Sequence, residues 1–228
     1  MTVRCAFVAA VILTGAAAAG AQSFKYTPLR LLSGGVSALP AVTIAGGGEV
    51  LIEAIVDRAG IPTRPIVLKG TPPYTQFVLE ALATWRFEPA RAVGPDGREA
   101  PVEMPVTIGA LYRPPVLMNS PTIGEPTKDF SKPSMDVAYP VITEMPNYPS
   151  IAREGGVVLF EVALNEAGGI IDARVVSGVE GFDGASREAL ARWRFRGAAY
   201  RARPVPSKAY VLFGFRPPIV SPPSSPTR

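Results

Sequence analysis

Histidine is absent from this chain of 228 residues, and its single cysteine is Cys5. No Ser-His or Cys-His pair can form, and no nitrogen or thiolate metal site. Ser-x-x-Lys does not occur, and Gly46-Gly47-Gly48 opens a strand pattern rather than the helix a phosphate loop needs. The carboxylates that remain in interesting places are Glu53 and Glu161, on the outward face of alternating stretches, where solvation is the expectation. No catalysis and no cofactor are expected. The other chemistry on offer is positive charge: Arg192, Arg194, Arg196, Arg201 and Arg203, followed by Lys208. The plain expectation is a solvated helix end and loop. The sharper one is contact with an anionic envelope polymer such as peptidoglycan, or with a headgroup. Nucleic acid is not an expected partner, because the aromatic interleaving of nucleic-acid readers is missing.

Arg192 and Arg194 belong to a phrase used twice. Glu80-Ala-Leu-Ala-Thr-Trp-Arg-Phe87 returns as Glu188-Ala-Leu-Ala-Arg-Trp-Arg-Phe195, a spacing of 108 residues that holds without a gap back to Gly48 and Gly156. The match is an internal duplication of a unit that can close a small core. In the first copy Tyr74, Phe77, Val78, Ala81, Leu82 and Trp85 form one apolar helical stripe, with Thr71 as its cap. In the second, Phe182, Ala189, Leu190 and Trp193 repeat it, with Asp183 as cap. Trp85, Phe87, Trp193 and Phe195 are the expected core anchors.

Strands flank each helix. Val50, Ile52, Ala54 and Val56 alternate onto one face, and Val158, Phe160, Val162 and Leu164 do the same 108 residues later. Second strands follow near Thr63–Lys69 and Ile171–Val176, third strands near Val102–Tyr112 and Lys208–Phe215. The fold class is α+β: two small β-β-α-β domains, each a three-stranded antiparallel sheet under one helix, joined by a Pro-rich linker. Residues 1–21, apolar from Cys5 to an Ala-Gly-Ala end, read as a cleaved signal peptide, with an uncleaved inner-membrane anchor as the alternative. Residues 22–47 are a lead-in, 48–113 the first domain and 114–147 a stiff extended linker. Residues 148–217 are the second domain and 218–228 a disordered tail.

Proline sorts the strands. It cannot donate to a ladder and belongs on edges, and neither first strand contains one, so each first strand should be central. Pro65 and Pro105 blunt the outer strands of the first copy; those of the second carry none, and Lys208 alone guards Lys208, Ala209, Tyr210, Val211, Leu212 and Phe213. That stretch is the expected docking edge for an extended peptide.

Pro146-Asn-Tyr-Pro149, Gly156 with its strand, Asn165-Glu-Ala-Gly168, Val175-Val-Ser-Gly178 and Trp193-Arg-Phe195 resemble the C-terminal domain of TonB. The first copy resembles it through Val56-Asp57, Gly60, Trp85-Arg-Phe-Glu-Pro-Ala90 and Val102. The resemblance implies a periplasmic protein that binds a short peptide of an outer-membrane receptor, or another envelope protein, by sheet-edge addition, in TonB-dependent transport. The chain departs from a transducer in having no histidine, a cleavable leader and no long proline spacer. A structural envelope protein without energy transduction is therefore the second expectation, with homodimerisation as one way to cover an open edge.

Overall fold

The computed structural model describes residues 24–36, 46–113, 121–126, 128–149 and 155–216. The leader, its cleavage site and the tail lie outside them. In chain order the elements begin with β1 (Tyr26–Thr27), β2 (Arg30–Ser33), β3 (Gly48–Val56) and β4 (Pro62–Lys69). Helix α1 (Tyr74–Thr84) leads to β5 (Arg86–Glu88), β6 (Arg91–Val93), β7 (Glu99–Pro101) and β8 (Met104–Arg113). After β9 (Tyr139–Ile142) the second copy runs β10 (Gly156–Leu164), β11 (Ile170–Ser177) and α2 (Asp183–Leu190). It closes with β12 (Arg194–Arg196), β13 (Ala198–Tyr200), β14 (Arg203–Val205) and β15 (Ser207–Phe215).

The result is mixed α and β, mostly strands with two helices, and within each copy the first strand is central. The copies do not keep separate sheets, however. The described residues form one six-stranded sheet in the order β11-β10-β15-β8-β3-β4. Its neighbours are antiparallel except in the middle, where the two third strands run parallel from Ala209 opposite Thr107 to Phe215 opposite Arg113. Pro105 did not prevent this, because it precedes the parallel ladder.

Equivalent strands lying side by side and parallel are related by a twofold along the strand, which turns the sheet over. The helices therefore cap opposite faces. Trp85 packs edge-on to Tyr210 at 5.5 Å and Trp193 edge-on to Phe213 at 5.7 Å. Tyr210 and Phe213 stand three residues apart on one strand, so they point to opposite faces. Each cap extends over the other copy's strands: Phe87 also lies 5.5 Å from Tyr210, and Thr107 Oγ1 donates to the Ala138 carbonyl ahead of the second copy. One continuous apolar core follows, so the expectation of two separately closed domains on a tether is corrected.

The lead-in and the linker are part of the repeat. β2 pairs with β5, and β9 pairs with β12 in the equivalent place. The Trp85 indole N–H donates to the Gly35 carbonyl at 3.3 Å and that of Trp193 to the Glu144 carbonyl at 2.9 Å, a step of 109 residues in the acceptors. Ile123, Val137, Tyr139 and Met145 are buried, so the described part of 114–147 is packed rather than a free spacer. Neither expected side-chain cap forms: Thr71 Oγ1 instead accepts the Glu49 amide, and Asp183 opens α2 without a capping bond.

The turns after β3 and β10 each need one glycine. Gly60 (φ +81°) lies against the Phe87 carbonyl and Gly168 (φ +86°) against that of Phe195, where a Cβ would collide. Gly60→Ala should cost more than about 1 kcal/mol, since both conformation and space oppose the methyl. A urea midpoint unchanged from wild type would contradict this.

Candidate partner-binding edge

Lys208, Ala209, Tyr210, Val211, Leu212 and Phe213 lie in β15, and both sides of that strand are paired, with β10 and with β8. The open edge expected there is filled by the chain's own first copy. A peptide could enter only by displacing β8 or β10. The anchors Trp85, Phe87, Trp193 and Phe195 are buried.

The arginine cluster does not form one patch. Arg192 is paired with Glu144, and Arg194 bonds the carbonyls of Ala191 and Trp193. Arg196 donates to the carbonyls of Ser134 and Val137. Arg192 and Arg196 thus stitch the second cap to its leading segment, while Arg194 closes the end of its own helix. Arg201 and Arg203 point elsewhere, over the rings of Tyr200 and Phe24.

Glu53 and Glu161, expected in water, are 4% and 3% exposed. Each is roofed by the other copy's cap. Glu53 accepts the Ser134 amide at 2.8 Å. Glu161 accepts from Lys208 Nζ at 2.9 Å, the Tyr210 hydroxyl at 2.9 Å and the Leu31 amide at 3.1 Å, with Arg174 Nη2 at 3.4 Å. Burial pushes the Glu161 carboxyl upward, but the bonds from Lys208, Leu31 and Tyr210 outweigh it and hold it below the ordinary value. Tyr210 is pushed well above the usual phenol range by its own burial and then by the carboxylate beside it. A glutamate at the same place in both copies, inside apolar strands, was the available sign of this.

The six-stranded sheet has two edges, β4 and β11. β4 is blunted. It holds Pro62 and Pro65 and Arg64 sits at φ 48°, whereas two register shifts occur in each edge pairing alike. β11 has no proline. It reads Ile-Ile-Asp-Ala-Arg-Val-Val-Ser, and its Ile171 side is 65% exposed. One blunting contact falls on it, from Arg187 Nη1 to the Ala173 carbonyl at 2.6 Å.

With this geometry in view, residues 144–217 match the family model for the Gram-negative bacterial TonB protein C-terminal. The matched span includes β10, β11, α2 and β15; the first copy lies outside it. No curated protein matches the chain. Domains of that family are non-enzymatic protein-interaction domains that engage outer-membrane receptors. Among the described residues no helix is long and apolar enough to cross a membrane.

Proposed function

We propose that the chain is a periplasmic, non-catalytic interaction protein of the TonB-like kind, both of whose copies share that ancestry. It binds an extended segment of an outer-membrane receptor, or of another envelope protein, along β11. The observation that carries this reading is the lone proline-free edge of the described sheet, inside the family-matched span. An added strand would satisfy the outer amides and carbonyls of Ile170–Ser177, and its alternate side chains would meet Ile171 on the exposed side. The β15 edge serves the fold instead of the partner.

Hydrogen exchange on the exported chain, with and without candidate receptor peptides, tests it. Amides within Ile170–Ser177 are expected to gain protection on binding, while Lys208–Phe213 is protected throughout. Ala173→Pro should weaken binding about tenfold while circular dichroism shows the fold retained, because edge strands tolerate proline. Binding that leaves β11 unprotected would overturn the site.

A structural envelope role without energy transduction is the second reading, and the self-filled β15 edge favours it. It expects no response of β11 to any receptor peptide.

A further inference from the structure

The hairpins β6–β7 and β13–β14 each lead directly into a central strand, β8 or β15. Because those strands are parallel, both hairpins emerge at the same end of the sheet, beside the pseudo-twofold. A cleft of about 210 Å³ opens between them. Arg58, from the turn after β3, and Arg98, from the first hairpin, line it together with Tyr200 and Arg201 of the second hairpin. No single copy builds this site.

Its charge is unbalanced. Among the described residues Arg58, Arg98 and Arg201 make no ion pair with a carboxylate, whereas Lys25, Arg64, Lys69 and Arg91 do. Asp96 is the one acidic lining residue, and its Oδ1 is already engaged by the Arg98 amide at 3.1 Å. Three arginines and one aspartate thus line the cleft, an excess of positive charge.

The second wall is held in place at a local cost. Tyr200 packs on Tyr26 at 5.9 Å, and Arg201 lies 5.2 Å over the Tyr200 ring. Arg201 and Ala202 form the two-residue turn of β13–β14 with φ of 51° and 60°. Hairpins of this length favour Asn-Gly there, because left-handed backbone crowds the Cβ of an ordinary residue. An arginine and an alanine occupy the turn instead, and that choice puts Arg201 on the cleft wall beside Tyr200.

We infer that this inter-copy cleft binds a phosphate ester. Guanidinium forks match phosphate oxygens in pairs, and several converging ones outperform scattered lysines. The volume is below the roughly 300–1,000 Å³ of small-molecule pockets, so it admits a phosphate headgroup rather than a whole larger ligand. The apolar lining from Val93, Pro101 and Val102 suits the carbon atoms next to the ester. The site is independent of β11, and its test does not involve a peptide.

The test uses the full exported chain with glycerol phosphate, read by calorimetry, and with phosphatidylglycerol-containing vesicles against phosphatidylcholine alone, read by flotation. Saturable binding is expected, and Arg58→Gln with Arg98→Gln should weaken it about tenfold. Lys128→Gln with Lys132→Gln removes the same charge from exposed positions elsewhere and should leave binding within about twofold. Capture of soluble glycerol phosphate identifies a free ester as ligand. Capture of the anionic vesicles alone, still lost in the arginine pair, identifies a lipid headgroup. Equal losses in the two double variants, an adventitious charge effect, would overturn the site, as would the absence of saturable binding to either probe.

Discussion

Trp85→Ala is expected to lower stability by about 3–5 kcal/mol and to do so for the whole chain at once. The indole is 1% exposed, and its neighbours belong to three parts of the molecule: Gly34 of the lead-in, Phe87 of its own cap and Tyr210 of the second copy. The cavity left by the mutation therefore crosses the boundary between copies. Trp193 remains as a reporter of the opposite face. Urea unfolding followed by Trp193 fluorescence and by far-ultraviolet circular dichroism should give coincident curves, both shifted to lower midpoint. If Trp193 fluorescence melted at the wild-type midpoint while half the dichroism was lost earlier, the copies would be independent and the shared core wrong.

The second large effect is electrostatic. Glu161→Gln should cost about 3 kcal/mol at neutral pH, since it leaves Lys208 and Arg174 facing a neutral group. The pH dependence follows from the direction of the shift. The folded carboxyl ionises below the ordinary value of 4.5, so its contribution is complete above that value and is lost as pH falls through the folded pKa. Wild type and variant should therefore converge in stability as the solution is acidified below about pH 4. Urea midpoints measured from neutral to acid pH decide it; curves separated by a constant amount would show that the charge on Glu161 does not stabilise the fold. Because the carboxylate also accepts the Leu31 amide, the variant should loosen β2 first, seen as faster exchange of that amide.

Local order was readable from residue types. The 108-residue repeat, the helical stripes ending in Trp85 and Trp193, and the glycine turns at Gly60 and Gly168 follow from side-chain spacing and backbone sterics within short windows. So does the central place of β3 and β10 in their own copies. The short hairpins β6–β7 and β13–β14 were not legible, because three-residue strands carry too little alternation to stand out. The full burial of the sheet had a sign that alternation obscured. β3, β8, β10 and β15 are almost continuously apolar, the pattern of strands covered on both faces, while β4 and β11 are mixed.

What joins what was decided only in three dimensions. Backbone amides and carbonyls are alike in every strand, so an unblunted edge at β15 states that a partner is wanted and not which strand it will be. Here the partner was β8, and that pairing moved the available edge to β11. The same step turned the sheet over and carried Glu161 from water into the core, while Arg192 and Arg196 stitch the linker down. It also brought Arg58 and Arg98 beside Arg201, about 100 to 140 residues away along the chain. The chain's order of residues determines the units, because propensity and packing stripes act over a few turns. The fold determines the surfaces, because charge and open backbone acquire meaning from whichever distant segment comes to lie against them.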